Sequence, residues 1–367
     1  MTSHTSTGRK LNFSAGPAVL PECVLEQAAV AVQDLDDTGM SVLEHSHRGA
    51  AIDRVFEEAT ADCRAVGAIP EEFEILFLQG GASMQFAMTP LNFLASGGVA
   101  DYLDTGSWTS KAIDDARKIG EVHVAWSGRE QAYRSIPNPQ DICWSSDPSY
   151  GWYCTNNTIY GTTWETAPIC KAPLIADMSS DIFSRPIDWD RHGMVIAGAQ
   201  KNIGPAGVTL AILRRDLLDA ANPDLPAMLR YAIHAEKGSR YNTPPVFAVY
   251  CAGLVFKWIL SIGGLQAVES MNRRKSAVIY NAIDSSNGFY TGHADKACRS
   301  MMNIPFTTPS ADLDTAFLNE AETESMCNLK GHRSVGGIRA SIYNAFPEEG
   351  CQRLAEFMAD FADRHGG

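Results

Sequence analysis

A lysine follows a short apolar run in Ala197-Gly198-Ala199-Gln200-Lys201-Asn202, and an aspartate closes an earlier run, Leu174-Ile175-Ala176-Asp177. An amine and a carboxylate at the ends of two strands suit pyridoxal phosphate. The amine holds the cofactor's aldehyde as a Schiff base, and the carboxylate keeps its ring nitrogen protonated, so that electrons from a broken substrate bond flow into the ring. Gln79-Gly80-Gly81-Ala82-Ser83-Met84-Gln85-Phe86 stands where a strand becomes a helix. Its free backbone N–H groups and the Ser83 hydroxyl suit a phosphate, although Gly-Gly with a following Ser is also a common turn and helix cap. The stretch is neither a Walker loop nor a GxGxxG fingerprint, which disfavours kinases and nicotinamide-dependent dehydrogenases.

Other residues carry a chemical and a plain structural reading side by side. Trp108, after Asp104-Thr105-Gly106-Ser107, can stack on a flat heteroaromatic ring or simply pack in the core. Thr158, in Thr155-Asn156-Asn157-Thr158-Ile159-Tyr160-Gly161, can reach a cofactor oxygen or satisfy its own turn. Ser46-His47-Arg48-Gly49 and Gly331-His332-Arg333 are loops of the kind that recognise phosphate, or that form salt bridges. Arg339 sits in a strand-like apolar context, where a charge without a partner is costly; a substrate carboxylate gripped bidentately is a natural partner.

The elements that must position these residues follow from the pattern of the chain. At 367 residues, 45% hydrophobic and 20% charged, it can bury a large core and should divide into two domains. A formal net charge of −13 and the absence of a basic run argue against a nucleic-acid partner. Nine cysteines without a CxxC pair read as reduced thiols in a cytoplasmic protein, and no metal-ligand spacing stands out. The first ten residues lack the apolar centre of a secretory signal, and no apolar run is long enough to cross a bilayer, so no membrane partner is expected.

Apolar runs alternate with helical patterns, which predicts an α/β fold. Strands are expected at 75–78, 99–103, 122–124, 151–155, 173–177, 194–198 and 208–213, with helices near 82–95 and 107–118. Their short, doubly buried look predicts a mostly parallel sheet, whose carboxyl ends would gather Asp177, Lys201 and the Gly80-Gly81 turn. Long helices are expected at 244–261 and 263–285, then a strand at 302–306, a helix at 311–327, a strand at 338–343 and an amphipathic helix from Pro347. The break at Ile262-Gly263-Gly264 marks the domain boundary.

The ordered set of motifs is more specific than any one of them. Asn12-Phe13-Ser14-Ala15-Gly16-Pro17, Ser46 to Gly49, Gln79 to Phe86, Ala197 to Gly207 (AGAQKNIGPAG), Tyr241-Asn242-Thr243-Pro244-Pro245 and Gly331 to Ala345 (GHRSVGGIRASIYNA) together resemble the phosphoserine aminotransferases. These are class V, fold-type I pyridoxal phosphate enzymes, and the resemblance runs from about Leu11 to Gly367. It implies a large cofactor domain over 16–263 with a mostly parallel seven-stranded sheet, and a smaller α+β domain from 1–15 and 264–367. It implies that Lys201 carries the cofactor, Asp177 pairs with its ring nitrogen, Trp108 stacks on the ring and Thr158 contacts its 3-oxygen. Ala82, Ser83 and Gln200 would hold the phosphate, joined by Asn242 and Thr243 from the second subunit of a homodimer with shared active sites. His47, Arg48, His332 and Arg333 match the substrate-phosphate positions, and Arg339 the carboxylate clamp.

The activity implied is ping-pong transamination between O-phospho-L-serine and 2-oxoglutarate, giving 3-phosphohydroxypyruvate and L-glutamate in serine biosynthesis. A relative of phosphoserine used in pyridoxine biosynthesis, 4-phosphohydroxy-L-threonine, is a further candidate substrate. Other class V activities compete: the paired His-Arg loops disfavour a glyoxylate aminotransferase, and no cysteine has the setting a desulfurase needs. A non-catalytic cofactor-binding protein has little use for a full substrate clamp.

Overall fold

The computed structural model describes residues 8–366; most of the polar N-terminal tail read from the sequence lies outside them. A two-residue strand, β1 (Leu11–Asn12), precedes helices α1 (Glu22–Gln33) and α2 (Ala50–Gly67). The main sheet then comprises β2 (Phe73–Leu78), β3 (Val99–Asp104), β4 (Glu121–Ser127), β5 (Tyr150–Cys154), β6 (Leu174–Asp177), β7 (Met194–Gly198) and β8 (Thr209–Arg214). Helix α3 (Gly81–Phe93) joins β2 to β3, and α4 (Ser107–Ala116) joins β3 to β4. The strand order is β2-β8-β7-β6-β5-β3-β4, and β8 alone runs antiparallel to its neighbours. The expected mostly parallel sheet of seven strands is what forms. Strands β5, β6 and β7 are buried along their whole length, which is why they read as unbroken apolar runs rather than alternating ones.

Past the sheet come α5 (Arg215–Asp219), α6 (Tyr231–Glu236), α7 (Val246–Ser261) and α8 (Gly264–Asp284). A second, three-stranded sheet is built from β9 (Thr291–Gly292), β10 (Asn303–Thr307) and β12 (Ile338–Ser341), flanked by α9 (Ala311–Thr323), β11 (Met326–Cys327) and α10 (Glu348–His365). The chain turns sharply between α7 and α8, by 85°, at Gly263, whose φ of +106° costs a glycine little. No single helix among the described residues is long and apolar enough to cross a membrane.

Helices α1 and α2 had no counterpart in the sequence reading. In α2 the buried residues Ile52, Val55, Phe56, Ala59, Cys63 and Val66 fall on one helical face, which packs on α7. The two approach closely at Gly253, where an added Cβ would stand 3.3 Å from that of Ala59. The helix expected to run to 327 stops at Thr323 instead. Ser325 adopts a left-handed φ of +62°, and Met326–Cys327 pairs in parallel with Leu11–Asn12.

Apolar side chains gather into separate cores. Two line the faces of the main sheet, one with α2 and α7, the other with α3 and α4. Another holds Phe13 together with α8, β10, α9, β12 and α10. Leu265 and Val268 belong to the first of these and Ile279 and Ile283 to the last, so α8 runs across both regions.

Candidate active site

Strands β2, β3, β5, β6 and β7 run in the same direction, so their carboxyl ends open onto one edge of the sheet. Each ends beside an expected site residue: Ala82 and Ser83 in the first turn of α3 after β2, Trp108 in the first turn of α4 after β3, Thr158 in the turn after β5, Asp177 at the tip of β6, Lys201 in the turn after β7. Between them lies a cavity of about 110 Å³, walled by Gly81, Ala82, Ser83, Trp108, Thr158, Asp177, Gln200 and Lys201 together with Phe86, Cys154, Ser179 and Ser180. The structure thus brings together every cofactor residue expected of this subunit.

The Lys201 ammonium donates to the hydroxyls of Thr158 at 2.7 Å and Ser180 at 3.0 Å, and lies 5.7 Å from the centre of the Trp108 ring. Burial lowers its pKa, and the Asp177 charge only partly opposes this. Asp177 is buried and accepts from the Ser179 backbone N–H at 2.9 Å, while the Ser179 hydroxyl accepts from the Gly198 N–H at 3.0 Å. Ser179 therefore ties the carboxylate to the strand that bears the lysine. Close by, the buried Asp181 carboxyl has its pKa pushed up to about 6 by burial, and Thr155 donates to it.

Thr158 is free to serve Lys201 because Asn157 satisfies the turn in its place. The Asn157 side-chain oxygen accepts from the N–H groups of Ile159 and Tyr160, and its amide donates to the Thr105 carbonyl. That last contact presses on Gly106, the residue just before α4. With φ at +154°, an added Cβ there would stand 2.0 Å from the Asn157 amide nitrogen. Gly106→Ala is expected to lower stability by about 3 kcal/mol, read as a fall in Tm; a Tm equal to that of the wild type would contradict this packing.

Gly80 and Gly81, with φ of +88° and +66°, swing the chain into α3, whose N-terminus has no side-chain cap and no acid in its first turn. Its N–H groups are thus available to an anion. From the other side, the N-terminal segment lies on the lysine: an added Cβ on Gly16 would be 3.1 Å from Lys201 Cγ. The Ala15 carbonyl accepts from the Tyr343 hydroxyl at 2.8 Å.

The expected substrate ligands divide. Arg339, in β12, is half-buried and donates to the Thr158 carbonyl at 3.2 Å; burial lowers its pKa. His332 has its pKa lowered by burial and then by Arg339, Arg333 and Lys111, a cluster of positive charge beside the cavity. The Ser334 N–H donates to His332 Nδ1 at 3.2 Å, which leaves the proton of the neutral ring on Nε2. His47 and Arg48 lie in the turn ahead of α2; none of the five expected substrate ligands is a wall of this cavity, nor are Asn242 and Thr243. The Thr243 carbonyl instead accepts from the Gln79 side chain of its own chain at 3.1 Å. Other arginines, such as Arg273 with Glu165 and Glu269, or Arg299 with Asp284, are held by carboxylates. Among the described residues no such partner meets Arg48, Arg333 or Arg339.

These residues fit pyridoxal phosphate. A buried lysine faces a buried carboxylate, an uncapped helix N-terminus opens beside them, and the Trp108 indole N–H is buried without a partner. A family model described as "Aminotransferase class-V" matches residues 10–354. The chain is 51% identical over 360 residues to the phosphoserine aminotransferase of Lysinibacillus sphaericus, across 98% of this chain and 99% of that one. It belongs to the phosphoserine aminotransferase family. Among solved structures, the phosphoserine aminotransferase of Bacillus circulans subsp. alkalophilus superposes with a TM-score of 0.96 at 48% identity, covering 98% of this chain and 100% of that one. The pyridoxal phosphate-bound enzyme of Trichomonas vaginalis gives 0.91 at 40% identity, covering 96% and 100%. Sequence reasoning missed Ser179, Ser180, Asn157 and Tyr343; the only available signal for the first two was their place directly after the Asp177 strand.

Proposed function

We propose that this enzyme moves the amino group of O-phospho-L-serine to 2-oxoglutarate, forming 3-phosphohydroxypyruvate and L-glutamate, with pyridoxal phosphate bound at Lys201. The observation that carries this reading is the pairing of the Lys201 cavity with Arg339 and Arg333, two guanidiniums that lack a carboxylate partner. When bound, pyridoxal phosphate supplies an electron-accepting ring that weakens the bonds at the substrate α-carbon.

The chain's own residues do the rest. The first N–H groups of α3, Ser83 and Gln200 hold the phosphate, Trp108 covers the ring and Thr158 takes its 3-oxygen. Asp177 keeps a proton on the ring nitrogen, because a nearby negative charge favours the protonated form. Lys201, its pKa lowered by burial, takes a proton from the substrate α-carbon as a base and returns one as an acid. The hydroxyls of Thr158 and Ser180 hold Nζ in place for both transfers. Arg339 grips the substrate α-carboxylate, and His332, Arg333, His47 and Arg48 take the phosphate, where the side-chain carboxylate of glutamate can also bind. The substrate 4-phosphohydroxy-L-threonine carries the same two anionic ends on a longer chain, and is part of this proposal.

The reading includes a homodimer in which His47, Arg48, Asn242 and Thr243 reach the partner's cavity. Leu43, Met84 and Tyr241 support it: these large side chains are 62%, 42% and 42% exposed rather than in the core, and each stands in or within a few positions of a site motif. It also includes the division into domains at 16–263 and at 1–15 with 264–367, supported by the separate apolar cores. A cytoplasmic setting is supported by nine cysteines that are all free.

Purified enzyme mixed with O-phosphoserine should lose the yellow absorbance of its lysine-bound cofactor, then regain it and form glutamate on addition of 2-oxoglutarate. Arg48→Ala and Arg333→Ala should each lower phosphoserine turnover relative to that of alanine by about 100-fold. An unchanged ratio would remove both from the phosphate site.

A further inference from the structure

Lys275, in α8, is fully buried, with an exposure of 0%, and takes no part in the chemistry above. It makes no ion pair among the described residues. Instead its ammonium donates to four backbone carbonyls of a single loop: Ile342 at 3.1 Å, Tyr343 at 2.8 Å, Asn344 at 3.3 Å and Phe346 at 3.2 Å. A buried charge is tolerated only when hydrogen bonds replace its water, and here one short loop supplies all of them. The loop directly follows β12, the strand of Arg339.

That loop bonds to residues on two sides of Lys201. The Asn344 N–H donates to the Asn202 side-chain oxygen at 2.9 Å, and Asn202 is the residue after Lys201. The Asn202 amide in turn donates to the Ile182 carbonyl at 2.6 Å. The Asn344 amide donates to the Phe183 carbonyl at 2.8 Å, and its oxygen accepts from Asn272, one turn before Lys275 in α8. On the other side, the Tyr343 hydroxyl donates to the Ala15 carbonyl, next to the Gly16 that lies on the lysine stem. Tyr343 also interacts with the hydroxyl of Ser180, an acceptor of the Lys201 ammonium.

We infer that Lys275 is a positioning residue for Lys201: by gathering the carbonyls of the 342–346 loop, it presents Asn344 to Asn202 and Tyr343 to Ser180 and Ala15, and so fixes where the lysine stands. The inference rests on Lys201 as the cofactor lysine. It joins α8 and the Arg339 strand to the turn after β7, so the carboxylate clamp and the lysine share one anchor.

The test uses capture of pyridoxal phosphate by the apoenzyme, followed by the return of the lysine-bound absorbance. Lys275→Met keeps the apolar stem and removes the donors. Capture per folded molecule should slow by about tenfold, since a small misplacement of a reacting group is costly. Asn202→Ala, which leaves Lys275 and its four carbonyls in place, should slow it similarly. The double variant should be little slower than either single one, because both lie on one route. A purely structural Lys275 would lower Tm and leave the capture rate of the folded protein unchanged, which overturns the inference; so does a double variant whose effects multiply. Should Lys275→Met fail to fold, wild-type capture by Asn202→Ala overturns it alone. If Lys201→Ala still developed the lysine-bound absorbance, the reading of Lys201 itself would fail, separately from this one.

Discussion

Lys201→Ala is expected to lower phosphoserine turnover by about 10⁴-fold, the upper end of what one general acid-base group contributes, and to abolish the lysine-bound absorbance. The expectation rests on the lack of a substitute. Lys111, the other ammonium against the Trp108 ring at 4.4 Å, is exposed and is not a wall of the cavity. Thr158 and Ser180 hold Nζ but are hydroxyls, too weakly basic to take a proton from carbon. The cofactor should still bind, since α3 and Trp108 are the groups proposed to hold its phosphate and ring. Glutamate formation under saturating substrates, with bound cofactor measured in parallel, checks both parts. A variant that bound cofactor and kept substantial turnover would move the proton transfer to another group.

Asp177→Asn is expected to lower kcat by about 10³-fold with little change in KM, because the charge matters most as electrons leave the substrate. The amide has the same shape, and its oxygen can still accept from the Ser179 N–H, so the strand end should remain in place. Asp181 offers an independent readout. Asp177 is among the charges that raise the Asp181 pKa, after burial as the main cause, so removing the Asp177 charge should bring the Asp181 pKa down. The two kinetic constants measured together are decisive, since a loss confined to KM would make Asp177 a substrate ligand rather than a partner of the ring.

Much of this site was legible because its residues stand at the carboxyl ends of buried strands, and those strands announce themselves as short apolar runs. Asp177 and Lys201 needed only that pattern and their own chemistry. Ser180 and Tyr343 could not be found the same way, since a serine after a strand and a tyrosine after another have many uses. Only folding brings Ser180 to the Lys201 ammonium and Tyr343 to the Ala15 carbonyl beside it. Helix α2 escaped notice because its apolar residues are spread at helical spacing among charged ones, with no dense run to mark it. The end of α9 was misjudged for a different reason: Met326–Cys327 is a strand only because Leu11–Asn12, near the opposite end of the chain, lies beside it. His47 and Arg48 mark a further limit, since their expected work lies in a cavity that their own turn does not wall.

The contact of Gly16 with the Lys201 stem, and of Ala15 with Tyr343, also sets an order of events during synthesis. The segment over the lysine leaves the ribosome before the sheet, yet the tyrosine that bonds it there is made only after the sheet is complete. A growing chain that had already folded its seven-stranded sheet would present Lys201 without its cover. The nascent enzyme therefore becomes competent only once the loop after β12 has been made, when segments from before and after the sheet meet across the lysine.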